Sequence, residues 1–217
     1  MRPPPPLRKM GFFKAPLESA RAHLVAWLRE IEGPRGLSIE EQPAGGRLEE
    51  VLRSLLPPTT RAIERRVLIP TVGPWTAYLD NLELGTDPGA VSYLARRMKC
   101  TGVHFVAQPL SVERTPAGER HDGAVALSIY GRQDNPDVDN TIRAIQLFGE
   151  LDEWAFRESG QPLPYEDTSA YRAPRVEDRF TIEMLERYLR EMGIRAFEED
   201  FYRPLEACLV ATQKSAP

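Results

Sequence analysis

The 217-residue sequence has few of the residues and patterns that mark membrane, metal and redox proteins. No apolar run approaches the roughly 20 residues that a transmembrane helix needs, which argues against a membrane span. The two cysteines, Cys100 and Cys208, lie far apart, as is typical of isolated thiols in a reducing compartment. The three histidines stand apart from one another, with no ligand spacing. We therefore expect no disulfide, no metal and no cofactor.

The sequence also lacks a recognisable catalytic motif. No G-x-S-x-G nucleophile elbow is present, and Ser128 lies inside an alternating strand pattern. Cys100 and His104 could pair as nucleophile and base, but four residues along a strand separate two side chains by about 13 Å. Residues 85–89 lie at the start of a predicted helix, a position where anions often bind. The negative charge of Asp87 disfavours an anion there, and no lysine stands at the P-loop position. These absences favour a protein without catalytic activity.

The overall charge is slightly acidic. A pI of about 5.6 and a net charge of −4 argue against nucleic-acid binding, because domains that neutralise phosphates are strongly basic. Residues 1–14 are basic, but four consecutive prolines stand where a secretory signal would have its apolar segment. These features predict a cytoplasmic protein that binds neither nucleic acid nor a membrane, and they leave its oligomeric state open.

Alternating apolar and polar residues recur in short segments between residues 66 and 166. This period of two is typical of strands that have one buried face. The connections between the segments are short, which favours antiparallel neighbours. The pattern predicts an α+β fold with one antiparallel sheet of about five to seven strands, including residues 75–82 and 102–158.

Helical periodicity flanks this region. Residues 16–32 and 47–56 each carry an apolar stripe, and we expect them to form an N-terminal helical pair that packs together and covers the sheet. A short helix should begin at Asp87, a good N-cap residue, with Pro88 at its first position. A C-terminal helix within residues 176–203 should also pack over the sheet.

These segments predict the domain organisation. Residues 1–14 are expected to be a disordered, basic, proline-rich tail, and residues 206–217 a second tail. Residues 15–205 are expected to form a single α+β domain. Within it lie a helical annex (15–58), a sheet core (66–166) and a C-terminal helix with an acidic segment (176–203).

Acidic residues concentrate near the C-terminus. Residues 150–206 contain fifteen acids and eight bases, so this segment carries −7 while the rest of the chain carries +3. One interpretation is a solvated acidic face that aids solubility. The other is an interaction protein of inhibitor or immunity-like type, whose acidic, aromatic-bearing face binds a basic protein partner. The residues predicted to bind that partner are Phe197, Glu198, Glu199, Asp200, Phe201 and Tyr202.

A second hypothesis places a small-molecule pocket on the sheet, for a binding protein or an enzyme. Aromatic groups with a few polar groups among them describe a ligand pocket, and they also describe an ordinary core. The candidate pocket residues are Trp75, Tyr78, Asp80, Asn81, Arg143, Trp154 and Arg179.

Overall fold

The computed structural model describes residues 8–56, 63–82, 85–115, 118–132, 138–150 and 153–214. In these residues it contains nine strands and four α-helices. The strands are β1 (Lys9–Phe13), β2 (Leu37–Pro43), β3 (Ile63–Pro70), β4 (Thr76–Asp80), β5 (Gly102–Thr115), β6 (Gly118–Tyr130), β7 (Thr141–Glu150), β8 (Glu153–Gly160) and β9 (Cys208–Lys214). The helices are α1 (Leu17–Glu32), α2 (Leu48–Arg53), α3 (Pro88–Met98) and α4 (Ile182–Glu191).

All nine strands form one antiparallel sheet in the order β2-β9-β3-β4-β1-β5-β6-β7-β8. The prediction of an α+β fold with an antiparallel sheet is therefore confirmed. The predicted size of about five to seven strands is wrong. The additional strands are β1, β2 and β9, which lie outside the alternating region at residues 66–166.

The first strand, β1, lies at the centre of the sheet between β4 and β5. Met10 and Phe12 point to one face and Phe13 to the other, and all three are fully buried. The expectation of a disordered tail over residues 1–14 is therefore wrong for this strand, while residues 1–7 lie outside the described residues. The alternation pattern does not reveal this strand, because a strand that is buried on both faces is continuously apolar rather than alternating.

The last strand, β9, corrects the expectation of a second tail at residues 206–217. It pairs with β2 on one side and β3 on the other. Leu209 and Val210 are buried on opposite faces of the sheet. The C-terminal segment is thus an internal strand through Lys214.

The helices cover both faces of the sheet. α1 and α3 pack on one face with Leu68, Tyr78 and Val210, which we call the α1/α3 face. The buried residues of α2 and α4 belong to the other face with Phe12 and Phe105, which we call the α4 face. The predicted N-terminal helical pair is therefore wrong, because α1 and α2 lie on opposite sides. None of the helices within the described ranges is long and apolar enough to cross a membrane.

Side chains cap the first turns of two helices, α3 and α4. The Asp87 carboxylate accepts a hydrogen bond from the Gly89 N–H (2.8 Å), and Pro88 begins α3, which confirms the predicted start of this helix. The Thr181 hydroxyl accepts from the Met184 N–H (3.3 Å) at the start of α4. After α4, the acidic part of residues 176–203 forms a short 3-10 turn at Glu199–Phe201 rather than more helix.

We predict that Gly11→Ala destabilises the protein by about 1–3 kcal/mol, because a methyl group there overlaps the Val91 side chain of α3. Val91→Ala removes the overlapping group, so the double variant should lose less stability than the two single variants combined. Urea unfolding measures all three. The control is Gly33→Ala, where an added Cβ meets nothing within 4 Å; equal losses at both glycines would contradict the argument.

Candidate functional site

A cavity of about 430 Å³ opens on the α4 face. It lies between the β5–β6 hairpin, Trp154 on β8 and the first turn of α4. We call it the Trp154 cavity. Apolar residues, a tryptophan, two hydroxyl-bearing residues and two glutamates line it, including Leu110, Ser111, Val125, Trp154, Glu177, Thr181 and Glu183.

A β-bulge shapes one wall of the cavity. The register between β5 and β6 shifts between Gln108 and Ser111, so Pro109 and Leu110 together oppose one residue, Gly123. A proline at this point costs no ladder hydrogen bond, since bulges are among the few places in a sheet where proline fits. Gly123 has a φ of 108°, and a Cβ there would overlap the Pro109 carbonyl. The bulge therefore needs glycine opposite it.

Trp154 packs against residues of the two neighbouring strands, β7 and β6. It lies opposite Gly149 of β7, where a side chain would overlap the backbone of His121. The His121 ring packs edge-on against the indole, with centroids 4.9 Å apart and planes at 88°. The His121 Nδ1 atom is buried and has no hydrogen-bond partner within the described part of the chain. The indole is thus packed against His121, and Trp154 as a whole is partly exposed.

Two carboxylates complete the cavity. The pKa of Glu177 is lowered by its own backbone N–H and by Arg175, whose guanidinium is 2.9 Å away and 70% exposed. The pKa of Glu183 is lowered by its own backbone N–H and by the Thr181 hydroxyl. Both carboxylates are therefore ionised near neutral pH.

The chemistry of the Trp154 cavity favours a positively charged group. An aromatic ring face attracts cations through its quadrupole, and adjacent carboxylates add direct attraction. The one threonine in the wall, Thr181, is already engaged as the cap of α4. The described residues contain no group of three or more His, Cys, Asp or Glu side chains that could hold a metal ion.

The aromatic residues of the predicted binding segment pack against the protein's own core. Phe201 and Tyr202 are 2% and 4% exposed, and the Tyr202 hydroxyl donates to the Ala196 carbonyl (2.6 Å). Phe197 packs edge-on against Phe105, with ring centroids 5.6 Å apart. These rings are therefore engaged inside the protein and do not form an exposed aromatic anchor.

Two of the three acids of that segment, Glu198 and Asp200, are paired with arginines. Glu198 lies 2.7 Å from both Arg190 and Arg195. Asp200 is 3.4 Å from Arg195 and is 75% exposed. Glu199 is exposed at the surface. Intramolecular arginines thus offset much of the negative charge that the sequence concentrates here.

The residues of the alternative pocket are dispersed in the structure. Tyr78 lies in the core of the α1/α3 face, while Trp75 lies in that of the α4 face and donates to the Met192 carbonyl (3.2 Å). Asp80 and Asn81 are buried at the end of β4 and accept backbone N–H groups. Arg143 pairs with Glu166. Arg179 donates to the Ala173 carbonyl (2.9 Å). Of the seven, Trp154 is the one that lines the cavity.

Arg143 is fully buried and anchors a long loop to β7. Its guanidinium donates to both oxygens of Glu166, the shortest contact being 2.7 Å, and it also pairs with Glu158. The Leu163 N–H (3.0 Å) and the Tyr171 hydroxyl (2.9 Å) donate to the same Glu166 carboxylate. Burial alone would raise the pKa of Glu166, but these bonds outweigh it and the pKa is lowered.

The Cys100 and His104 pair does not form a nucleophile. His104 is buried, and its Nε2 atom lies 3.0 Å from the Thr86 carbonyl, to which it can donate. Burial lowers the pKa of His104 to about 4 and raises the pKa of the Cys100 thiol to about 11. Neither shift produces a thiolate–imidazole pair near neutral pH.

The sequence patterns did not place Glu177 and Glu183 in one cavity with Trp154, or His121 against its indole. The one relevant signal in the sequence is a proline, Pro109, and a glycine, Gly123, inside strand-like segments. Both residue types are typical of β-bulges. Comparisons with protein-family models, curated proteins and solved structures find no match. The site is therefore interpreted from its own residues.

We predict that Glu166→Gln destabilises the protein by about 3–5 kcal/mol, because it leaves the Arg143 charge buried without its main partner. The matched control is Glu158→Gln. Glu158 binds the same arginine but is 42% exposed, so its loss should cost less than about 1 kcal/mol. Chemical denaturation measures both variants, and a reversed order would show that Glu166 is not the dominant partner.

We also predict a pH-dependent contribution from His104. Its pKa is depressed in the folded protein, so the unfolded chain binds more protons below its ordinary pKa of about 6.5. Stability should therefore fall by up to about 3 kcal/mol as pH drops from about 6.5 to about 4. His104→Gln should flatten this part of the curve in denaturation at several pH values. An unchanged slope would contradict the burial of a neutral imidazole.

Proposed function

We propose that this protein is a non-catalytic interaction protein, of inhibitor or immunity-like type, that binds a basic protein partner. A lysine or arginine side chain of the partner enters the Trp154 cavity. The observation that supports this proposal is the combination of one partly exposed indole with two ionised carboxylates, Glu177 and Glu183, in a single cavity.

The surrounding charge favours a basic partner. Residues 150–206 carry −7 in a chain of −4, and they include the cavity acids and the adjacent Asp178. A negative surface around a cavity attracts a basic protein during encounter, and the attraction weakens as salt shortens the Debye length. Arg175 is mostly exposed where it pairs with Glu177, so an incoming cation can replace it at little cost.

The cavity is a better anchor than the acidic segment at residues 197–202. Affinity at protein interfaces comes mainly from a few aromatic and charged groups in well-packed pockets. Phe201 and Tyr202 are buried, whereas Trp154 is partly exposed. The acids Glu199 and Asp200 then add only distant charge, which affects the rate of encounter with the partner more than the affinity.

A second candidate is a binding protein for a small organic cation. The cavity volume of about 430 Å³ falls within the range of about 300–1,000 Å³ that is typical of small-molecule sites. A free amine such as butylamine separates the two candidates, because it reproduces the lysine side chain without the peptide around it.

We predict that a six-residue lysine peptide perturbs the indole N–H signal of Trp154 in NMR titration, while a six-residue glutamate peptide does not. The Trp154→Phe variant assigns the signal. Glu177→Gln/Glu183→Gln should weaken binding at least tenfold, which corresponds to about 1.4 kcal/mol. Binding should also weaken as salt rises from about 0.05 to 0.5 M.

The control variant, Glu199→Gln/Asp200→Asn, removes the same number of negative charges at positions outside the cavity. This variant should bind nearly as well as the natural sequence. If it loses affinity while the cavity variant does not, the partner binds at residues 197–202 instead. If butylamine binds as tightly as the peptide, the small-molecule candidate is favoured.

A further inference from the structure

His121 lies beside the Trp154 cavity. On β6 it is opposite Val112 of β5, which lines the cavity. Its ring contacts the Trp154 indole edge-on, with centroids 4.9 Å apart and planes at 88°. A side chain on Gly149 would overlap the His121 carbonyl, so glycine at that position allows this contact. The ring of His121 therefore touches the aromatic group that we expect to hold a bound cation.

One nitrogen of the His121 ring is buried without a partner. Its Nδ1 atom has no hydrogen bond within the described part of the chain. A neutral imidazole can carry its proton on Nε2 and leave Nδ1 bare, whereas a protonated imidazole carries N–H groups on both nitrogens. A buried donor without an acceptor costs free energy. Protonation therefore requires the ring to shift or turn from its present contact with Trp154.

Acids of the turn at Val176–Asp178 and of α4 surround the cavity next to His121. The pKa of Glu177 is lowered by its own backbone N–H, by Arg175 and also by charge on His121, so the two side chains interact. Arg175 pairs with both Glu177 (2.9 Å) and Asp178 (3.7 Å). Glu183, on α4, lines the same cavity. Glu177 is thus the acid that a protonated His121 would attract.

The strands around His121 place uncharged residues next to it. These neighbours are Val112 on β5, Gly149 on β7 and Trp154 on β8. The adjacent acid on its own strand, Asp122, accepts from the Gly123 N–H (2.9 Å). Among the side chains that the structure describes, the charges that act on His121 therefore come mainly from the turn that carries Glu177.

His121 is the histidine that can affect the cavity near neutral pH. Histidine is the side chain whose charge ordinarily changes between about pH 5 and 8, and the chain has three. His23 lies on α1, on the opposite face of the sheet, with Nδ1 2.9 Å from the Ser19 carbonyl. Burial lowers the pKa of His104 to about 4, below this range. Glu177 and Glu183 stay ionised across it, because the pKa of each is lowered.

We propose that His121 makes the Trp154 cavity a pH-dependent site, in which the neutral ring permits a bound cation and the protonated ring opposes it. This inference rests on the proposed function. A protonated His121 is itself a cation in contact with the indole, whose ring face attracts positive charge. It also attracts Glu177 and repels an incoming lysine. Both effects lower the affinity for a basic partner as pH falls.

NMR titration with an N-acetylated six-residue lysine peptide at about pH 7.5 and about pH 5.5 measures this effect. Lysine keeps its charge over this range, since its ordinary pKa is about 10.4. The affinity of the natural sequence should fall at least about fivefold at the lower pH, as expected for two like charges close together near a protein surface. His121→Gln does not titrate and should bind equally at both pH values.

Two further variants are matched controls. His121→Phe keeps an aromatic ring against Trp154 without a titratable group, so it should bind at both pH values about as the natural sequence does at the higher one. His23→Gln removes a histidine from the opposite face and should keep the natural pH dependence. His104 is present in all these variants, so its effect on stability is common to them, and circular dichroism verifies that each is folded at both pH values.

A measurement without ligand tests the contact itself. The indole N–H signal of Trp154 should move between about pH 7.5 and about pH 5.5 in the natural sequence, and it should stay in place in His121→Gln. A merely structural role for His121 would not produce this difference.

The outcomes separate this inference from the proposed function. If the peptide binds equally at both pH values, or if His121→Gln keeps the pH dependence, the inference is overturned while the proposed function stands. If the peptide does not bind even at about pH 7.5, where the imidazole is ordinarily neutral, the proposed function fails and this inference fails with it.

Discussion

The central position of β1 is the constraint on which the rest of the fold depends. This strand joins β2-β9-β3-β4 to β5-β6-β7-β8, and without it the sheet would divide in two. Phe12 stacks with Phe105 at 6.2 Å on one face, and Phe13 packs against Tyr78 at 5.8 Å on the other. Gly11 is small because α3 presses Val91 against it. β1 therefore contributes buried side chains to the cores on both faces of the sheet.

A second buried interaction connects the fold to the cavity. Arg143 and Glu166 are both inaccessible to solvent, and their bond ties the chain after β8 to the sheet. The Tyr188 hydroxyl on α4 accepts from the Asp167 N–H (2.7 Å), which links the same loop to the helix. These contacts hold the chain between β8 and α4, which supplies Glu177 and Thr181 to the Trp154 cavity, on the α4 face of the sheet.

Sequence patterns predicted part of this structure. The antiparallel α+β architecture and the start of α3 at Asp87 were correct because they follow from alternation and capping. β1 was missed because five residues buried on both faces carry no period. The positions of α1 and α2 were wrong because an apolar stripe shows that a helix is buried, not which face of a sheet it covers. Of the proposed pocket residues, Trp154 alone lines the cavity.

Glu177 and Glu183 could not be distinguished from the sequence, since they are two of fifteen acids in one acidic segment. By itself the sequence determined helix caps, strand alternation and net charge, because each depends on residues close together in the chain. The tertiary structure alone decided the strand order, the covered faces and the cavity. Those features depend on contacts such as that between Tyr202 and Met10, which are 192 positions apart, and no local pattern specifies which distant residues will meet.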